Sequence, residues 1–254
     1  MSGWRVTGAS VAGTSHAVKA VPCQDAHAHE VVSGPAECIL VVCAADGAGS
    51  ASQSQIGAEL ACRVLLAEVR TALQAGIAVA DLSREVLLSW VQRAKDAVVR
   101  RATELQVTPR ELACTVVLAV VGESAAAFAQ VGDGASVIAH NGGFVVVFWP
   151  APGEYANATE FLTDTNVEDR LVTEVYSERI DEFAVMSDGL QRLALDFANR
   201  RGHSGFFTPL FATLREHPDP AALAAGLRAF LGSAQVNART DDDKTLVLAT
   251  RLNP

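Results

Sequence analysis

The chain has 254 residues, half of them hydrophobic, with 20 Lys and Arg against 29 Asp and Glu, a formal net charge of −9. Without any Lys/Arg-rich run, that balance argues against nucleic-acid binding, which needs clustered positive charge, while the apolar half suffices for a large core. Cys23, Cys38, Cys43, Cys62 and Cys114 form no Cys-x-x-Cys pair, and no stretch is apolar enough for a signal peptide or membrane span, so a soluble protein of the reducing cytoplasm is expected.

Trp4–Val11 mixes polar and apolar residues as a short strand does, and Gly13 ends it. Asp25–Val32 and Glu37–Ala45 read as the next two strands, parted by Ser33-Gly34-Pro35. The second is almost wholly apolar (Cys38-Ile39-Leu40-Val41-Val42-Cys43), the mark of a strand buried on both faces. The period then becomes helical. Ser52–Ala75 carries Ile56, Leu60, Val64 and Ala67 on one face, with Gly76 as a stop, and Asp81–Glu104 carries Val86, Trp90, Ala94 and Ala97. An antiparallel helix pair laid on a sheet is expected.

Strands return at Thr115–Val121, Ala125–Val131, Ala135–His140 and Phe144–Phe148, joined by Gly122-Glu123-Ser124, Gly132-Asp133-Gly134 and Asn141-Gly142-Gly143. The last connection is a strong hairpin signal. Trp149–Asp169 lacks periodicity and reads as a long irregular excursion. Strands resume at Leu171–Tyr176 and Glu182–Met186; helical patterns follow at Gly189–Asn199, Gly205–Glu216 and Pro220–Leu231; Lys244–Thr250 is a final apolar strand. Strands and helices segregated in this order predict an α+β fold, and no linker divides residues 1–254 into more than one domain.

Four acidic motifs sit where strand-like runs begin or end: Gln24-Asp25, Asp46-Gly47, Asp188-Gly189 and Asp242-Asp243. Any one Asp-Gly is ordinarily a turn or a helix cap. Together at strand ends, the carboxylates would repel one another unless a cation lay among them. All-oxygen ligands suit Mg²⁺ or Mn²⁺ better than zinc, and two such ions can activate water against a phosphate ester. His27 and His29 alternate on a strand and read as ordinary, partly exposed strand histidines; Trp90, Phe128 and Phe148 are candidate core residues.

The ordered set Ser15-His16…Gln24-Asp25, Ala45-Asp46-Gly47, Cys114-Thr115, Val131-Gly132-Asp133-Gly134, Ser187-Asp188-Gly189 and Asp242-Asp243-Lys244-Thr245 resembles the metal-dependent protein phosphatases, the protein phosphatase 2C family, in its bacterial type. The resemblance spans about residues 4 to 251. It implies a four-layer α-β-β-α sandwich, two antiparallel sheets face to face with a helix pair outside each. It also implies hydrolysis of phosphoserine or phosphothreonine in proteins, at a site holding two Mn²⁺ or Mg²⁺ ions. By motif, Asp46 would bridge the ions, the Gly47 carbonyl would bind one, and Asp188 and Asp242 would complete the other, with Asp25 supporting through water. Bacterial members often hold a third ion through an acid upstream of the Thr115 region, where Glu111 is the nearest and a loose match. The Trp149–Asp169 excursion lies where the family has a flap beside the active site, a solvated linker being the other reading.

Departures from the family pattern concern the phosphate. Gln24 stands where many members have glutamate, Thr14–Cys23 holds no phosphate-binding arginine, Ala48 replaces the histidine of some members, and Gly134 replaces a frequent serine. His16 and Lys19 are the candidate substitutes for that arginine, and Asp133 is expected to shape a hairpin. Two functions follow: a cytoplasmic Ser/Thr phosphoprotein phosphatase opposing a cognate kinase, or a catalytically weak relative that binds phosphoproteins as a regulatory module.

Overall fold

The computed structural model describes residues 3–19, 21–34, 37–149 and 159–252. Two five-stranded sheets carry the architecture. The first has the order β1-β12-β9-β6-β7, from β1 (Gly3–Val11), β6 (Ala135–His140), β7 (Gly143–Val146), β9 (Glu182–Met186) and β12 (Lys244–Leu252). The second has the order β2-β3-β4-β5-β8, from β2 (Ala26–Ser33), β3 (Cys38–Ala45), β4 (Val116–Val121), β5 (Ala126–Val131) and β8 (Val172–Tyr176). Every pairing in both sheets is antiparallel.

Alternation along the strands builds three apolar layers. In β3, Ile39, Val41, Cys43 and Ala45 face the helices α2 (Ser54–Gln74) and α3 (Arg84–Glu104). Leu40, Val42 and Ala44 face the other sheet, meeting Phe183, Val185, Val247 and Ala249. The far face of the first sheet, with Ala184, Met186, Leu246 and Leu248, is covered by α6 (Ser204–Glu216) and α7 (Pro220–Leu231) through Phe207, Phe211, Leu227 and Leu231. Each fully buried side chain of this kind contributes about 1.5–3 kcal/mol relative to exposure. The result is the expected α-β-β-α sandwich.

Local signals explain the helix ends. Ser83 Oγ accepts the Val86 N–H at the start of α3, and Asp219 accepts the Ala221 N–H just before Pro220 opens α7. Gly76, at φ +97°, closes the turn after α2.

Three expectations are corrected. The helix over Gly189–Asn199 does not form: a short 3₁₀ turn (Asp188–Leu190) and α5 (Gln191–Ala194) lead into a small hairpin of β10 (Leu195–Asp196) and β11 (Arg201–Gly202). Asp196 is the reason, because its carboxylate binds the Asn199 N–H and Nδ2 and the Arg201 guanidinium, which fixes a turn. Gly132-Asp133-Gly134 is no hairpin either. β5 pairs with β4 and β8 while β6 pairs with β7 and β9, so this corner carries the chain from one sheet to the other. A Cβ on Gly134 would lie 2.5 Å from Val117 Cγ2 and 2.9 Å from the Met186 carbonyl, which explains glycine where the sheets meet. Finally, Thr14–Lys19 forms a short helix, α1, where the sequence suggested none. Of the excursion expected over 149–169, residues 150–158 lie outside the described residues, and Val167–Arg170 form the short helix α4.

A candidate metal centre at the shared rim of the sheets

Antiparallel pairing brings the predicted carboxylates to one edge. Ala26 pairs with Ala45, so Asp25, just before β2, and Asp46, just after β3, share one end of the second sheet. Leu246 pairs with Met186, so Asp188, after β9, and Asp242, before β12, share one end of the first. The two ends meet: Ser187 Oγ donates to Asp25 Oδ2 at 2.7 Å and in turn accepts the Thr245 N–H at 2.9 Å.

The charges press on one another. Burial pushes the Asp25 carboxyl up to about 7, against the hydrogen bonds from Ser187 and Thr245 that pull it down. Burial, then the charges of Asp25 and Asp188, hold Asp46 well above the usual carboxylate range. Burial likewise raises Asp188, with Asp133 and Asp242 adding to the effect and a hydrogen bond with Asp46 opposing it. Two carboxylates can share a hydrogen bond only if one holds a proton or a cation replaces that proton. Asp25 Oδ1 and Asp188 Oδ1 are buried without any hydrogen-bond partner. Such orphaned anionic oxygens fit a hard cation. Among the described residues, no three His, Cys, Asp or Glu side chains already close around one point, so the arrangement is an open rim.

Backbone geometry completes it. Thr115 N–H donates to the Asp46 carbonyl at 2.8 Å and Ala48 N–H to the Ala113 carbonyl at 2.9 Å, leaving the intervening Gly47 carbonyl out of that ladder. Glycine is needed here, since a Cβ would lie 2.6 Å from the Gln24 carbonyl and 2.8 Å from Ser54. At Gly189 a Cβ would lie 2.0 Å from the Asp243 carbonyl, so the Asp188 turn rests directly on the strand that carries Asp242.

The other predicted residues fall elsewhere. His16 is buried with Nδ1 2.9 Å from Asp243 Oδ1, so it faces a carboxylate rather than an open phosphate site. The Lys19 side chain lies outside the described residues. Glu111 binds Ser52 through both its backbone N–H, at 2.9 Å, and its Oγ, at 2.7 Å. His27 bonds Ser10 Oγ at 2.9 Å through Nδ1, and His29 is exposed, both apart from the carboxylate group. Sequence reasoning assigned no role to Ser187, Thr245 or Asp243, although all three lie inside the quoted motifs; for the first two, their hydroxyls were the available signal. Asp243 accepts the N–H groups of Gly13 at 2.6 Å and Gln24 at 2.5 Å, a role that nothing in a run of aspartates announces.

Comparison with known proteins agrees with this architecture. A family model described as Protein phosphatase 2C matches residues 12–232, and the chain belongs to that family. It is 36% identical over 251 residues to serine/threonine-protein phosphatase 3 of Escherichia coli (strain K12), covering 97% of this chain and 98% of that one. Among solved structures, the catalytic domain of the serine/threonine protein phosphatase PstP, in complex with two manganese ions, superposes with a TM-score of 0.60 at 14% identity over 100% of both chains. The serine/threonine phosphatase Stp1 from Staphylococcus aureus superposes with a TM-score of 0.55 at 16% identity, over 98% of this chain and 95% of that one.

Proposed function

We propose that this chain is a metal-dependent phosphatase of phosphoserine and phosphothreonine in proteins. One observation carries the reading: carboxylates from the strand ends of both sheets share a rim on which two buried oxygens have no partner. Membership of the protein phosphatase 2C family and the name of the E. coli relative support it. Asp46, the Gly47 carbonyl, Asp188 and Asp242 would hold two Mn²⁺ or Mg²⁺ ions, which when bound supply an activated water and neutralise phosphoryl charge. The open rim suits ions that keep much of their water and take few carboxylates each.

The chain's own residues do the rest. Ser187 fixes Asp25 through Oδ2, which leaves Oδ1 to accept a hydrogen bond from a water at the rim. Ala48 follows Gly47 directly, so no side-chain acid stands at that position and the leaving alkoxide takes its proton from water. Phosphoproteins made by a Ser/Thr kinase in the cytoplasm are the substrates, with residues 1–254 acting as one domain. No helix among the described residues is long and apolar enough to cross a membrane.

The test is Mn²⁺-dependent hydrolysis of a phosphothreonine peptide and of p-nitrophenyl phosphate, with Asp46→Asn and Asp188→Asn for comparison. Each substitution is expected to lower turnover by roughly a hundredfold or more, the scale of losing one group that stabilises developing charge. Full activity in both variants would overturn the ligand assignment. Metal binding by a wild type that turns over neither substrate would favour the regulatory binding module instead.

A further inference from the structure

A cleft of about 390 Å³ opens beside the carboxylate rim, and nothing in the catalytic reading uses it. Its apolar lining is Ala48, Ala113 and Phe161, which pack with Ala51 behind them. Both ends reach the rim. Ala48 is the residue after Gly47, and at the other end Thr159 Oγ1 donates to Asp133 Oδ2 at 2.8 Å, whose charge acts on Asp188.

Arg110 projects from the 3₁₀ turn Pro109–Leu112 and lines this cleft. It is exposed, and its guanidinium has no hydrogen-bond or ion-pair partner among the described residues. The acids close to it are already engaged. Glu111 is bound by Ser52 twice, and its carboxyl is held below the usual range chiefly by those bonds, with Arg110 adding a smaller pull. Asp164, also in the lining, accepts the Phe161 N–H at 2.9 Å and closes its own turn. Lys95 Nζ donates to the Asp164 and Thr165 carbonyls, which fixes the loop forming the far wall. The cleft thus pairs an apolar lining with a five-donor cation in a chain of net charge −9, next to a rim of carboxylates.

We propose that this cleft is a subsite for a second anionic group on the substrate, held by Arg110, so that phosphoresidues flanked by acidic side chains or by another phosphate are preferred. The proposal rests on the phosphatase reading above. A guanidinium fork matches carboxylate and phosphate oxygens alike, and Ser50 adds a hydroxyl to the lining.

The experiment compares four phosphothreonine peptides, with neutral flanks, glutamate flanks, lysine flanks or a second phosphoserine, in the wild type, Arg110→Ala, Arg110→Lys and Arg110→Glu with Mn²⁺. The kcat/KM ratio of anionic to neutral peptide should fall about tenfold in Arg110→Ala, mainly through KM, as expected for one lost charge-assisted hydrogen bond. Arg110→Lys should retain part of the ratio, and Arg110→Glu should turn the preference towards lysine-flanked peptides. The glutamate and phosphoserine arms show which anion the cleft takes. A ratio equal in all four proteins would overturn the subsite. If the wild type hydrolyses no peptide, the phosphatase reading fails, and fluorescence anisotropy with the same labelled peptides decides the subsite. An anionic preference lost in Arg110→Ala would uphold it, and equal binding of all peptides would overturn it.

Discussion

Asp243 gives its carboxylate to the Gly13 and Gln24 N–H groups and lies beside His16, fully enclosed, whereas Asp242, one residue earlier, is exposed and adds its charge to Asp46 and Asp188. The two regions treat the same chemistry in opposite ways. Around Asp243, donors surround an anion and tie the segment before β2 to the head of β12. Around Asp242, anions face anions, and buried oxygens of Asp25 and Asp188 have nothing to accept from. In the proposed reading, the first region serves stability and the second function, the fold tolerating there a repulsion that a bound cation would remove.

Removing the satisfied anion should have the larger effect. Asp243→Ala leaves two buried N–H groups unpaired and is expected to cost about 2–4 kcal/mol in urea unfolding, with or without metal. A cost below about 0.5 kcal/mol, the range of an ordinary surface substitution, would erase the contrast. Next in size, Mn²⁺ at about 100 times its dissociation constant should raise wild-type stability by about 2.7 kcal/mol. The gain should shrink in Asp46→Asn and Asp188→Asn, whereas in EDTA neither variant should be less stable than wild type. Equal Mn²⁺ stabilisation of all three would place the cation elsewhere.

The smallest effect is a pH dependence on the satisfied side. His27, bonded to Ser10, which itself lies 2.6 Å from Thr245 Oγ1, is pushed down to about 4 by burial, with His29 and Arg228 adding to it. Between about 6.5 and about 4 the unfolded chain binds a proton that the folded one does not, so stability falls as pH falls through that window. Glutamine keeps the polar contact and does not titrate. The wild-type advantage over His27→Gln should therefore shrink by about 1–3 kcal/mol from pH 7 to pH 4 in chemical denaturation. A constant gap would show that His27 is no more buried in the folded chain than in the unfolded one.

Much of this was legible beforehand, for particular reasons. The unbroken apolar run of β3 could only be a strand covered on both faces, and α2 and α3 are long enough for their period to dominate. Asp25, Asp46, Asp188 and Asp242 stood out because each adjoins a strand end. Short features were hidden. α1 has 6 residues, too few for a period to show, and the β10–β11 hairpin depends on side-chain bonds of Asp196 that mimic the polar face of a helix. The change of sheet at Gly132–Gly134 was invisible because a corner and a hairpin use the same turn residues. The role of Asp243 and the presence of Arg110 at a cleft were hidden because they depend on a partner 230 residues away or on a cavity that only the folded chain encloses.

The pairing of β1 with β12 along nine positions has a consequence in time. During synthesis, the first strand of the sandwich emerges long before its neighbour among the described strands of the sheet, and the ribosome must reach Leu252 before that edge can close. Asp242 arrives with the same late strand. A nascent chain of this protein therefore carries no complete acidic rim, and maturation of the site coincides with the slow, non-local closing step of folding.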